Sequence, residues 1–251
     1  MLSPMNLQKS HFEEIHDEYA RHYYDPVSMQ YRWRFIYEYW FQGIDLNGKK
    51  VADLACGDGV NSLAVLSRFP DADVTGVDIS PKACEAYTSV TGRKAYAVDL
   101  TLGIDIGIYV DAAVVFGGLH HCVLDLRKTF QTISYMIKPG GLLLMAEPNR
   151  DCFWEPVRRI WYRMDNYFDD VSEAALAHDE MFRIVAADYE QIWIRYQGGP
   201  AYFLLLNSLI LRVPLPVKRF MRHPLFWLET AYNCLPGRFW YPTFLACWRR
   251  K

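Results

Sequence analysis

Val51-Ala-Asp-Leu-Ala-Cys-Gly-Asp-Gly-Val-Asn-Ser62 is the stretch that decides the fold. A short apolar run, Lys50–Ala55, passes into a turn with glycines at 57 and 59, and from Val60 to Arg68 the apolar residues Leu63, Ala64 and Leu66 take helical spacing. An apolar run this short suits a strand buried on both faces of a parallel sheet. Glycines in the turn let backbone approach a ligand where a Cβ would clash. The N–H groups that open the helix then point at that ligand.

Outward from this turn the pattern repeats. Asp73–Asp78 reads as a second strand, and Pro81 suits the first turn of the helix after it. Ala95–Val98 and Ala112–Phe116 read as the third and fourth strands; Leu124–Ile137 is an amphipathic helix stopped by Pro139-Gly140-Gly141, and Leu142–Ala146 is the fifth strand. Gln191–Tyr196 and Trp240–Trp248 supply a sixth and a seventh. Strands alternating with helices imply an α/β fold, doubly wound, with a mostly parallel seven-stranded sheet and helices on both faces. Right-handed crossovers put the strand ends on one edge, where ligands bind. The chain divides into an aromatic helical cover over 1–48, a core over 49–150, and substrate-side helices with the last two strands over 151–251, all in one domain. Eleven of the first 41 residues are Phe, Tyr or Trp.

With 251 residues, 51% hydrophobic and 22% charged, the chain has the composition of a folded globular protein rather than a disordered one. A net charge of −2 argues against a general nucleic-acid binder. The charge is uneven: residues 212–251 hold eight Lys or Arg against one acid, Glu229, while the rest holds 19 against 28. Basic residues among Tyr202–Leu206, Leu209–Leu211 and Phe226–Leu228 suit either a peripheral contact between segment 201–251 and an anionic membrane, or a mouth for a lipid-like substrate. An ordinary covering layer with its cations in solvent is the plainer alternative. The six cysteines form no CxxC pair and no zinc spacing, so no metal is expected. With no leader pattern and no run of about 18 apolar residues, the chain is expected in the cytoplasm, with the membrane surface as its one other place.

A glycine turn followed by Asp78, 19 residues after Gly59, is a nucleoside-binding arrangement, because a carboxylate at that strand end accepts both hydroxyls of a ribose. A nicotinamide site wants a third glycine for helix–strand packing, and Ser62 stands there instead. Asp53-Leu-Ala-Cys-Gly resembles the first motif of class I S-adenosylmethionine (SAM)-dependent methyltransferases. Val98-Asp99-Leu100 resembles their adenine-side motif, Asp111–His121 their fourth strand and following loop, and Ile137–Leu144 the turn into the fifth.

The resemblance covers about Lys50–Asn149. It implies SAM as cofactor and S-adenosylhomocysteine (SAH) as product. The cofactor would lie against Asp53, Ala55, Cys56, Gly57 and Gly59 in the first motif, Asp78 and Ile79 after the second strand, Asp99 and Leu100, and Phe116 and Gly117 after the fourth. Tyr23 and Arg32 would join it from the cover, Arg32 with Tyr31 reaching the methionine carboxylate, and Tyr19 and Tyr24 lie on the same candidate lid. His120 and His121 are the candidate catalytic bases, with Glu147 a lesser one. Asp53 also suits holding the turn from behind, Asp99 capping the next segment, and Cys56 packing. The implied reaction is methyl transfer to O or N of a small metabolite, hydrophobic or lipid-like. A SAM-binding regulator without catalysis and an NAD(P)-dependent oxidoreductase stay open at this point. Oligomeric state is not legible.

Overall fold

The computed structural model describes residues 24–164, 174–206, 211 and 213–251. The cover begins with α1 (Pro26–Arg32), capped by the Asp25 carboxylate, which accepts the Val27 and Ser28 amides. A wider π turn, Trp33–Tyr37, carries the chain to Trp40. Strands β1 (Lys50–Leu54), β2 (Asp73–Asp78) and β3 (Ala95–Ala97) alternate with α2 (Val60–Arg68) and α3 (Pro81–Thr91). Next come β4 (Val110–Phe116), α4 (Leu126–Met136) and β5 (Ile137–Pro148). The remainder holds α5 (Glu155–Met164), α6 (His178–Val185), β6 (Tyr189–Gln197), α7 (Leu215–Tyr232) and β7 (Thr243–Arg250).

Seven strands form one sheet in the order β3-β2-β1-β4-β5-β7-β6. The first five run parallel, and β7 is antiparallel to both neighbours. The order reverses at β1, so the crevice beyond the carboxyl ends of β1 and β4 is the switch point.

The sheet is buried on both faces with the period of two that strands impose. Val51, Val114, Leu144 and Cys247 face the cover, where Tyr31, Tyr37 and Trp40 are wholly buried. From Tyr31 onward, then, the cover is core rather than a loose lid. Ala52, Val115, Leu143 and Trp248 face α4 and α6.

Several expected boundaries shift by a residue or two, and two of the shifts have a visible cause. The helix before β5 ends at Met136, and β5 begins at Ile137. Pro139-Gly140-Gly141 is an irregular excursion inside that strand, between the pairs Val110–Ile137 and Ala112–Leu142. Ile137 is fully buried and Lys138 Nζ is held by Asp111 at 2.8 Å, so the chain is already pinned to β4 before the glycines. The last strand starts at Thr243 rather than Trp240, because Tyr241 is held in the preceding turn with its hydroxyl donating to the Tyr232 and Leu235 carbonyls.

Candidate active site

β1 delivers the turn. Ala55 sits at φ 50°, a left-handed conformation that costs a residue with a Cβ and that native structures keep mainly at functional turns. Gly57 follows at φ 47°, where an added Cβ would meet nothing nearer than the Tyr24 hydroxyl at 3.8 Å. Bare backbone there lines a cavity, with only the Tyr24 hydroxyl at ordinary contact distance. Gly59 is needed for a different reason. Its φ is 82°, and a Cβ would strike Thr91 at 2.4 Å and Tyr87 at 2.9 Å. Gly59 admits the packing of α3, and it does not line the cavity.

Asp53 also stands behind the turn. Wholly buried, it accepts the Ser62 amide and hydroxyl at 3.0 Å each and the Asn61 side-chain amide at 3.2 Å. Burial pushes its carboxyl up to about 7 against those bonds. Ser62 in turn contacts the Tyr87 hydroxyl at 2.7 Å. The position where a dinucleotide site has a glycine is thus filled by a hydroxyl that ties β1, α2 and α3 together.

One cavity gathers Arg32, Ala55, Cys56, Gly57, Asp78, Ile79, Asp99, Leu100, Phe116, Gly117 and His121. At the end of β2, Asp78 accepts the Gly57 amide at 3.1 Å on one oxygen and the Ser80 amide at 2.9 Å on the other. Burial raises its carboxyl above the ordinary range, opposed by those two N–H groups. Each oxygen keeps a lone pair for a further donor. Asp99 caps the short turn Leu100–Leu102 through Thr101 and lines the cavity as well; one oxygen takes both Thr101 bonds. Cys56 is buried, and burial followed by Asp53 and Asp78 drives its thiol up, which makes it a packing group rather than a nucleophile.

The two histidines part company. His121 lines the cavity. His120 lies behind it, with the two ring centroids 3.9 Å apart and its Nδ1 3.0 Å from Glu147, and does not line the cavity. Glu147, buried at the end of β5, accepts the amides of Gly118, Leu119 and His120. Its oxygens shape the loop after β4 and hold the His120 ring, and neither Glu147 nor His120 lines the cavity.

Arg32 is 2% exposed, with its guanidinium 4.1 Å from the Phe116 ring centroid and 5.1 Å from that of Tyr24. Tyr31 departs from its expected role at the cofactor, because its hydroxyl donates to Glu229 at 2.5 Å in the core. Tyr19 and Tyr23 lie outside the described residues, while Tyr24 lines the cavity. Lys82, Asn61 and Cys122 line it too and were not foreseen. Lys82 had a signal, since Ser80-Pro81-Lys82 opens a helix next to Asp78, with the Ser80 hydroxyl accepting the Ala83 amide.

Fold and site define a doubly wound α/β protein with its ligand cavity at the switch point. Residues 52–143 match the family described as "Methyltransferase domain". Ribosomal protein L11 methyltransferase of Aliivibrio salmonicida (strain LFI1238) is 35% identical over 109 residues, 43% of this chain and 36% of that protein. Its counterpart in Aliivibrio fischeri (strain MJ11) is 29% identical over 165 residues, 63% of this chain and 48% of that one. The chain thus spans a third to a half of these curated relatives.

Among solved structures, the cyclopropane synthase MmaA2 from Mycobacterium tuberculosis superposes with a TM-score of 0.65 over 94% of both chains at 13% identity. The N-methyltransferase NodS from Bradyrhizobium japonicum WM9, in complex with SAH, gives 0.55 over 90% of this chain and 88% of that one at 14% identity. At such identities the likeness speaks for the fold. Residues 52–143 thus match a methyltransferase domain, set in the fold of class I SAM-dependent methyltransferases.

Proposed function

We propose that the protein transfers the methyl group of SAM to an O or N atom of a small, hydrophobic or lipid-like acceptor. The observation that carries this reading is the meeting, in one cavity, of bare backbone at Gly57, the Asp78 carboxylate, Asp99, and the Arg32 guanidinium. These donors and acceptors fit the cofactor. Asp78 accepts from the ribose hydroxyls, Asp99 from the adenine amino group, and Arg32 offers a cation to the methionine carboxylate. The cofactor supplies a methyl carbon on a sulfonium: the bond made is to the acceptor atom, the bond broken is carbon–sulfur, and the electron pair stays on sulfur. The chain's own work is alignment, and His121 takes the proton of an acceptor hydroxyl.

Aromatic packing supports a hydrophobic acceptor. Phe153 and Trp154 after β5, Phe203 after β6, and Phe239 and Trp240 before β7 contact one another at the sheet edge that carries the cavity. The name of the L11 methyltransferase relatives favours a second reading, a protein acceptor.

Titration with SAM, SAH and NAD(H) side by side tests the first step, and binding of both adenosyl ligands without NAD(H) is expected. NAD(H) binding alone would overturn the reading. Turnover of a hydrophobic hydroxyl or amine acceptor, set against ribosomal protein, separates the two acceptors.

A further inference from the structure

We propose that the outer face of α7 docks on an anionic lipid bilayer. An ordinary surface helix buries apolar side chains and exposes charge; α7 buries Leu225 and Phe226 in the core but buries two charged side chains with them, and leaves other large apolar ones outside. Its inward face holds Lys218 at 1% exposure and Glu229 at 0%. Lys218 Nζ donates to Asp25 at 2.5 Å and to Ser28 at 3.1 Å, and Glu229 accepts from Tyr31 and from the Gly199 and Ala201 amides. Its outward face presents Phe220 at 85% exposure and Trp227 at 73%, with Val217 and Leu228 beside them. Phe220 and Trp227 lie two helical turns apart on one stripe. A contiguous exposed apolar patch of this kind marks a contact surface.

Charge selects the partner. Glu229 is the one acid of α7, and it is buried. Among the described residues of α7 the charges that meet solvent are therefore cations, Arg219 and Arg222, and Arg34 joins them, its guanidinium donating to Thr230 of α7 at 3.3 Å. Bulky aromatics with flanking arginines are the composition of a helix that lies in the plane of a membrane interface. Anionic headgroups attract each such cation. A second copy would bring like charges face to face. A small acceptor wants a concave site, whereas this surface is the convex side of a helix. Among the described residues no helix is long and apolar enough to cross a membrane, so the contact is one of lying on the surface.

The experiment is co-sedimentation of the full chain with vesicles of phosphatidylcholine and phosphatidylglycerol at 7:3 (~30% anionic lipid, enough for polybasic attraction), against pure phosphatidylcholine. The wild type should partition to the anionic vesicles and be released by salt. Phe220→Glu/Trp227→Glu should lose about tenfold or more of that partition, and Arg219→Glu should lose roughly fivefold. Both variants keep wild-type SAM affinity, which reports an intact fold. No partition of the wild type, or equal partition of the double variant, would overturn the proposal. A dimer that the double variant abolishes, without vesicle binding, would overturn it in favour of a second copy. The readout is independent of turnover, so it survives a failure of the methyl-transfer reading and can fail without it.

Discussion

The glycine turn and α7 are built by opposite means. At the turn, the contacts that shape the cavity join near neighbours in sequence: Gly57 and Asp78 are 21 positions apart, and Ser62 and Asp53 are nine. On α7 the decisive contacts join Tyr31 to Glu229 across 198 positions and Asp25 to Lys218 across 193. The first region writes a ligand site into successive strand–helix units. The second fastens the cover, and with it Arg32, to a helix that only the finished fold brings near.

Breaking the long-range fastening should have the largest effect. Lys218→Ala leaves Asp25 buried without its cation and should cost about 3–5 kcal/mol of unfolding free energy, measured in urea. A loss under about 1 kcal/mol would mean that the cover is held by apolar packing alone. Next comes the turn itself. Asp78→Ala should weaken SAM by about 1.5–3 kcal/mol, roughly 10- to 150-fold, with the fold intact. Unchanged affinity in calorimetry would remove Asp78 from the site.

A pH experiment sharpens the contrast. Asp53 titrates near 7 when folded against 3.8 ordinarily, so the folded state holds the proton that the unfolded state has lost. Its contribution to stability is full below the unfolded value and is lost as pH rises towards 7. Relative to Asp53→Asn, the wild-type unfolding free energy should fall between those limits by at most about 1.4 kcal/mol per pH unit. Parallel curves would show that Asp53 is ionised throughout. The smallest effect belongs to Phe220→Glu, expected within about 0.5 kcal/mol of wild type because the side chain is exposed. Two positions from Lys218, one residue matters to folding and the other to what lies outside.

The same contrast explains what could be read from residues alone. Gly57, Asp78, Asp99 and the alternation of strands with helices are legible because each signal sits at the end of a periodic strand. Gly59 fell in the same pattern but answers to Thr91 and Tyr87, and spacing cannot tell a ligand from a neighbouring helix. His120 and His121 are adjacent in sequence, and only the buried Glu147 carboxylate, 27 positions on, decides which ring faces the cavity. The burial of Lys218 and Glu229 was illegible, since a Lys and a Glu on a basic helix read as solvated charges until their partners arrive from the other end of the chain.

The placement of β7 between β5 and β6 has a consequence for synthesis. Among the described residues β6 pairs with β7 alone, and β7 begins about fifty residues later. At roughly 5–20 residues per second of translation, β6 waits some seconds beside the ribosome with both edges unpaired. α7 emerges into the same gap with Phe220 and Trp227 uncovered, and a nascent chain at that stage carries an open sheet edge and an apolar helix face together, the condition in which holding chaperones and membrane surfaces compete for a polypeptide.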